Sequence, residues 1–581
     1  MNKIGNFFKR YEWLGPFLVM TVIIFAYLYD QVINHSMLIF NDTPFHFGRF
    51  WEVHQQIATG KISYFQSNFS FNQSGRIINA VYGPLFALIM GSLTFIFTTW
   101  FRFQIGTSIL LIYLAGFGFY KMAKETEQVS LPFLNLGLFI FLELGYIPAW
   151  IQGQSMMAWG GAIVPWVLRY GIRMIKLKKD QINVIGLAVS MAIAAQTHNL
   201  TVAMLILALT PAFIVAFVKS NEKKKLFRDV IFSVIIFLFL SANIIGALLV
   251  LKTNNIAMPV PIDLKGIALN ITPNLVQRNH ITPLMLIVLI ITAGLAIINF
   301  NKNKLNFWLG LGGASFFFLS TKAFPWGITE RLLPFLKTSF QSPSRLTVIA
   351  YPLLLVSLSI SLSSIAKRKN LRNIILKWGI TGLAVIASIS ALFDFQAYLH
   401  SNTLAYLDNN VVVLYSWVYK VPKSRTIIRE DMMSRNQGKL FQDLANSEPD
   451  YLPITKKIDS GQIVNIYGQK VVKNTDNFVR KVNKDGSLSL IWKQKKAGKK
   501  LLPIVMYKQS TLFLNRKKDR YKFESVAIPV VQARKGMNIA TLKFNSPIWF
   551  IILLWISIIS WIALIIYKGW MFCSKKRKFL Q

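Results

Sequence analysis

The sequence predicts an α-helical polytopic membrane protein with about 12–14 transmembrane helices. An extracytoplasmic β-rich domain is expected just before the last of them. Three observations predict this. Hydrophobic residues make up 53% of the 581 and charged residues only 15%, which excludes an ordinary soluble protein and a disordered one. Apolar runs of about 20 residues recur along the chain, the length a helix needs to cross a hydrocarbon core of about 30 Å. Much of the net charge of +41 sits in short connections between those runs, as the positive-inside bias asks of cytoplasmic loops.

The runs lie near residues 13–29, 81–100, 103–120, 131–149, 156–173, 182–199, 200–218, 230–251, 282–300, 305–321, 346–365, 374–393 and 547–567. The first lacks a small-residue cleavage site before a polar region and reads as a retained helix. Basic stretches at Lys3 to Arg10, Arg173 to Lys179, Lys219 to Arg228, Lys367 to Arg372 and Lys575 to Lys578 mark the cytoplasmic side. That alternation puts loops 252–281 and 322–345 outside, together with the polar region 394–546. Thirteen crossings cannot leave both basic ends in the cytoplasm. One segment between residues 30 and 130 is therefore expected to be interfacial, re-entrant or an extra crossing. Cys573 is the only cysteine, so no intramolecular disulfide can form. An external domain without disulfides suits the plasma membrane of a bacterium.

Three parts follow: a bundle over 1–393 with a long first external loop at 30–80, the polar domain 394–546, and a final helix with a basic tail at 547–581. In the polar domain, Gln462 to Tyr467, Leu488 to Trp492 and Ser525 to Val531 alternate or run apolar between turn signals such as Asp485-Gly486. They read as short antiparallel strands of a small sandwich. Its lysine excess reads as a solvated surface or as an attraction to anionic lipid headgroups or an anionic wall polymer.

Chemistry-bearing residues concentrate in the first loop. Asp42, His46 and Arg49 recur at helical spacing, so a short helix would put all three on one face; Glu52 follows. The alternative is an interfacial helix whose charges face water. His198 and Asn199 occupy a tight turn between two spans. Glu143 sits inside an apolar run, where ionisable groups are costly; it reads as a packing partner of an internal cation or as a cavity lining. Glu330 and Arg331 lie in the loop leading to Gln341 and Arg345. Arg345 opens an apolar helix, from which it can snorkel to lipid or present its fork to a phosphate ester. The sequence contains no phosphate loop, nucleotide fingerprint, H-E-x-x-H motif or G-x-S-x-G elbow.

Asp42-x-x-x-His46-x-x-Arg49, the re-entry from Gly75 to Tyr82-Gly83-Pro84-Leu85, His198-Asn199-Leu200, Phe340 to Leu346 and Asp450-Tyr451-Leu452-Pro453 occur in this order. In this the chain resembles the bacterial multi-pass membrane proteins related to 6-pyruvoyl-tetrahydropterin synthase. These in turn are similar to the GT-C superfamily of integral-membrane glycosyltransferases. GT-C enzymes often pair two acidic residues in the first loop, whereas here Asp42 stands alone until Glu52. The resemblance implies transfer of a sugar from a polyprenyl-phosphate donor to an envelope acceptor on the outer face. Asp42 would be the catalytic base. Arg345, Arg331 and Arg49 would bind the lipid phosphate, and His46, Glu52, His198, Asn199, Glu330 and Gln341 would bind substrate. A divalent cation (Mg or Mn) or no cofactor at all fits equally. Expected partners are the lipid bilayer, the polyprenyl-phosphate-linked sugar and an anionic envelope polymer or surface glycan as acceptor, with no nucleic acid. Two other readings use the same residues: a transporter or flippase of an anionic lipid-linked precursor, and a non-catalytic envelope-assembly protein.

Overall fold

A computed structural model describes residues 11–580, apart from 41, 274–277, 369, 409–417, 421–424, 447, 475–476 and 519–520. The basic stretch Lys3 to Arg10 lies outside the described residues, as do the side chains of Lys575 to Lys578.

Helices occupy the expected apolar runs, and the protein has the architecture of a multi-pass helical membrane protein carrying a β-containing domain. Among the described residues six helices are long and apolar enough to cross a membrane, seven if Lys223–Leu240 and Ala242–Lys252 count as one span bent by 65°. Four others, Pro84–Ile96, Leu131–Glu143, Val184–Thr197 and Pro283–Ile298, are apolar but shorter. A helix rises 1.5 Å per residue, so 13 residues reach only about 20 Å. The expected 12–14 spans thus exceed the helices of full spanning length. Hydropathy finds the apolar runs, but breaks at Thr98 and Thr99, at Leu144 to Pro148 and at His198 cut them short.

Thr347–Ala366 is the central element and is almost wholly buried. It packs against Lys304–Ser320, Leu131–Glu143, Pro283–Ile298 and Leu371–Leu407. Its serines hold the neighbours: Ser357 Oγ donates to Asn306 Oδ1 at 2.8 Å, Asn306 Nδ2 to Ser361 Oγ at 2.9 Å, and Ser359 Oγ to the Phe133 carbonyl at 2.8 Å. Small polar side chains at helix contacts let backbones approach and supply bonds that lipid cannot. Glu143 accepts from Ser388 Oγ of Leu371–Leu407. Its partner is a hydroxyl on a neighbouring helix, where the sequence suggested a cation or a cavity.

Leu371–Leu407 runs unbroken past the expected boundary at residue 394. Its pattern stays apolar on one face (Ala391, Phe395, Leu399, Thr403 and Tyr406 are buried), and no Gly or Pro follows Gly382 within it. The domain contains a five-stranded sheet, in the order Val479–Val482, Leu488–Gln494, Gly536–Phe544, Ser510–Leu514, Lys517–Lys518, and a three-stranded one of Lys522–Phe523, Pro529–Ala533 and Gly498–Leu501. All these pairings are antiparallel. Leu488, Leu490, Trp492, Leu512, Ala540 and Leu542 fill the core between them. Gln462 to Tyr467, expected as a strand, lies in the helix Ser460–Tyr467. Asp459 caps it by accepting from the Gln462 N–H at 2.9 Å, and a capped N-terminus outweighs an ambiguous six-residue alternation.

Candidate functional site

Asp42 directly precedes the helix Thr43–Thr59, which buries most of its first eleven residues and ends at Gly60 in the left-handed conformation. An aspartate here ordinarily accepts from its own helix N-terminus. Asp42 makes no such cap bond, so its carboxylate is not spent on its own helix. The following Thr43 donates through its hydroxyl to Gln154 Oε1 and accepts from the Phe40 N–H at 3.0 Å. These bonds hold the entry of the helix against the 149–154 turn.

Arg49 is buried, and its Nε and Nη1 have no hydrogen-bond partner. The guanidinium lies 4.6 Å over the Tyr82 ring, and burial pushes it down to about 10. His46 is also buried, with Nδ1 unpartnered. Burial, then the charges of Arg49 and His198, hold this imidazole well below its ordinary value. Burial, then Arg345, pushes His198 down to about 3. Both rings are therefore neutral near pH 7, able to hydrogen-bond but carrying no charge.

Distant segments close on these residues. Gly83 packs so tightly on the end of Val184–Thr197 that a Cβ there would collide with the Gln196 carbonyl. Asn199 Nδ2 donates to the Val81 carbonyl at 2.8 Å and His198 Nδ1 bonds Thr201 Oγ1 at 2.9 Å. The Tyr82-Gly83-Pro84 re-entry and the His198-Asn199 turn therefore form one wall. Arg345 donates through Nη1 to the Phe340 carbonyl at 2.8 Å and through Nη2 to Gln341 Oε1 at 3.1 Å. Gln341, which has φ +63°, thus acts as a brace for the guanidinium. Arg278 lies 5.7 Å over the Tyr146 ring, and Tyr146 Oη bonds Ser344 Oγ at 3.0 Å, next to Arg345.

Charges from these segments bear on Asp42. Burial raises its carboxyl above the ordinary aspartate range, while the charges of Arg278 and Arg345 pull it back down. A second carboxylate comes from the segment that follows Leu371–Leu407. Burial pushes Asp450 up to about 6, opposed by Arg76 and reinforced by the Asp42 charge. Arg76, fully buried, donates Nη1 to the Glu448 carbonyl at 3.0 Å and Nη2 to the Asp450 carbonyl at 2.6 Å. The strap 448–454 is fixed further by Tyr507 Oη on the Tyr451 carbonyl at 3.1 Å and by reciprocal backbone bonds of 2.8 and 2.9 Å with Ala257.

Not every expected site residue joins. Glu52 is buried and saturated: Oε1 accepts from the Asn68 N–H and Gln56 Nε2, and Oε2 from the Phe69 and Ser70 N–H groups and Ser70 Oγ, at 2.7–3.0 Å. It anchors the loop and has little left to offer a substrate. Glu330 accepts from the Leu264 N–H at 3.0 Å and lies 3.9 Å from Lys337 Nζ. Arg331 is exposed on Trp326–Leu332. The cations that bear on Asp42 are Arg278 and Arg345, so Arg278 stands where Arg331 was expected. Arg278 is the only arginine of loop 252–281, a weak signal that was available. Asp450 was visible in its Asp-Tyr-Leu-Pro motif, but nothing in the sequence tied it to Asp42. Asp42 and Asp450 offer two carboxylates to a divalent cation. Among the described residues no group of three His, Cys, Asp or Glu side chains is placed to hold one.

No protein-family model matches the chain, and no curated protein matches it in sequence. Among solved structures it is similar to the oligosaccharyltransferase of Archaeoglobus fulgidus in the apo form, at 10% identity and a TM-score of 0.39. The same enzyme, AglB, in complex with an inhibitory peptide and a dolichol-phosphate matches at 11% identity and 0.39. Both matches cover 68% of this chain and 56% of the archaeal one, so the chain spans little more than half the length of these proteins.

Proposed function

We propose that this chain is a membrane glycosyltransferase of GT-C type, moving a sugar from a polyprenyl-phosphate donor to an envelope acceptor at the outer face of a bacterial plasma membrane. Membership of the 6-pyruvoyl-tetrahydropterin synthase-related group belongs to the same proposal. The observation that carries the reading is that the charges of Arg278 and Arg345, from separate loops, both favour the ionised carboxylate of Asp42.

In this mechanism Asp42 takes the proton of the acceptor hydroxyl as that oxygen bonds to the anomeric carbon. The bond from the anomeric carbon to the phosphate oxygen breaks, and its electron pair leaves with the lipid phosphate. Arg345 and Arg278 receive the developing negative charge, and the unpartnered nitrogens of Arg49 suit a third phosphate contact. Neutral His46 and His198, with Asn199 beside them, orient sugar hydroxyls. Gln341 holds Arg345 in place, and Glu52 holds the loop that carries Asp42. Asp450, pushed up to about 6 by burial and by the Asp42 charge, lies in the strap that closes on the base. A bound divalent cation would add charge at the two carboxylates; every step above is carried by the chain's own groups.

The test is envelope carbohydrate composition in cells carrying Asp42→Asn at wild-type protein level. Loss of one glycosyl modification is expected. An unchanged composition would leave the chain with a transport or scaffolding role.

A further inference from the structure

The β-containing domain ends in a pole of three tight turns, one a hairpin and two that cross from one sheet to the other. One joins Leu488–Gln494 to Gly498–Leu501, the second Ser510–Leu514 to Lys517–Lys518, and the third Pro529–Ala533 to Gly536–Phe544. Register brings them to the same end: Gln494 lies opposite Gly536, Gly498 opposite Ala533, and Leu514 opposite Lys517. Fully buried Asn538 welds two of the turns together. Its Oδ1 accepts from the Arg534 N–H and from Asn515 Nδ2, both at 3.1 Å, and its Nδ2 donates to the Arg534 carbonyl at 2.8 Å. The pole is therefore rigid.

Each turn carries exposed cations: Lys495 and Lys496, Arg516 and Lys517, Arg534 and Lys535. From residue 486 to 546 the sequence has only Asp519 and Glu524 as acids. Glu524 is taken by Lys470 at 3.0 Å, and Asp519 lies outside the described residues. Asp485, just before this stretch, pairs with Lys543 at 3.3 Å. That pair sits at the opposite end of the sheet, where Asn68 Nδ2 donates to the Gly486 carbonyl at 2.7 Å and the Phe544 N–H to Gln66. Among the described residues, none of the six turn cations makes an ion pair. Clustered like charges on a rigid surface repel, and an anion that spans them relieves the repulsion.

We propose that this pole binds a linear polyanion, a polymer with a negative charge on each repeat, lying outside the membrane. Resting on the glycosyl-transfer reading, it makes that polymer the acceptor. Lipid headgroups are the poorer fit. The nine residues of Gly536–Phe544 place about 30 Å of strand between the pole and the end that leads into the final membrane helix. Charge interactions are screened over about 8 Å at physiological salt.

The test uses the full chain in nanodiscs of neutral phosphatidylcholine, with fluorescent polyphosphate and polygalacturonate as probes and dextran as a neutral control. Both polyanions should bind and dextran should not. Replacing Lys495, Lys496, Arg534 and Lys535 together by Gln should weaken binding by roughly tenfold or more at about 50 mM salt and flatten its salt dependence. Lys543→Gln at the opposite end should leave it unchanged. Equal affinity of the fourfold variant overturns the proposal. So does preferential, pole-dependent binding of phosphatidylglycerol vesicles. Asp42→Asn should bind the polyanions as wild type does, so a failure of sugar transfer and a failure of this surface are read separately.

Discussion

In the proposed transfer Asp42 must be ionised, and its surroundings set the pH at which that happens. Burial raises its pKa, and Arg278 and Arg345 lower it. The acid limb of the pH–rate profile should therefore lie above the usual aspartate range, with activity falling as pH drops through it. Arg345→Ala removes one of the cations that favour the carboxylate, so the limb should move to higher pH, beyond any loss of phosphate affinity. An unmoved limb would show that Arg345 does not share a site with the base. Asp42→Asn itself should lower the transfer rate by about 10²–10⁴ with membrane protein level unchanged.

At the scale of the element, the first loop is a helix, a turn and a re-entry held by one carboxylate. Glu52 accepts the backbone N–H groups of Asn68, Phe69 and Ser70. Glu52→Ala strands those buried donors, at about 1–3 kcal/mol for each left unsatisfied. A clear fall in thermal midpoint is expected, with Glu52→Gln intermediate; an unchanged midpoint would mean that water replaces the carboxylate. The helix itself was legible, because Asp42, His46 and Arg49 recur at its period, with Asp42 just ahead of its first turn and His46 and Arg49 buried within it. The roles were not. Glu52 has the same composition signal as a substrate-binding acid, and only the folded loop fills its lone pairs. Spacing likewise predicted Gln462 to Tyr467 as a strand, whereas the cap at Asp459 made it a helix. Six residues are too few for period to decide.

Across the whole molecule, the external domain is tied to the bundle through Arg76, which bonds two carbonyls of the strap next to the Asp42 cluster. Arg76→Met should free that strap while the bundle stays folded. Limited proteolysis should then cut faster between residues 447 and 460, with transfer activity falling in parallel. Unchanged cleavage would mean that the Ala257 and Tyr507 bonds suffice. Gly75, at φ +76°, sits where a Cβ would meet Leu542 of the sheet, so the same loop turn supports both the strap and the sandwich.

By itself the sequence determined the membrane class, the placing of the apolar helices, the β-containing region before the last of them and the loop that holds Asp42. Each rests on a local property: run length, periodicity or composition. The tertiary structure alone decided which helices keep spanning length, that the charge of Arg278 reaches Asp42, that Glu52 is an anchor, and that Arg76 of the first loop bonds the strap carrying Asp450, which lies some 400 residues from Asp42. Those outcomes depend on which distant segments pack together. Burial and charge at a residue are properties of its neighbours in space, and one-dimensional spacing does not carry them.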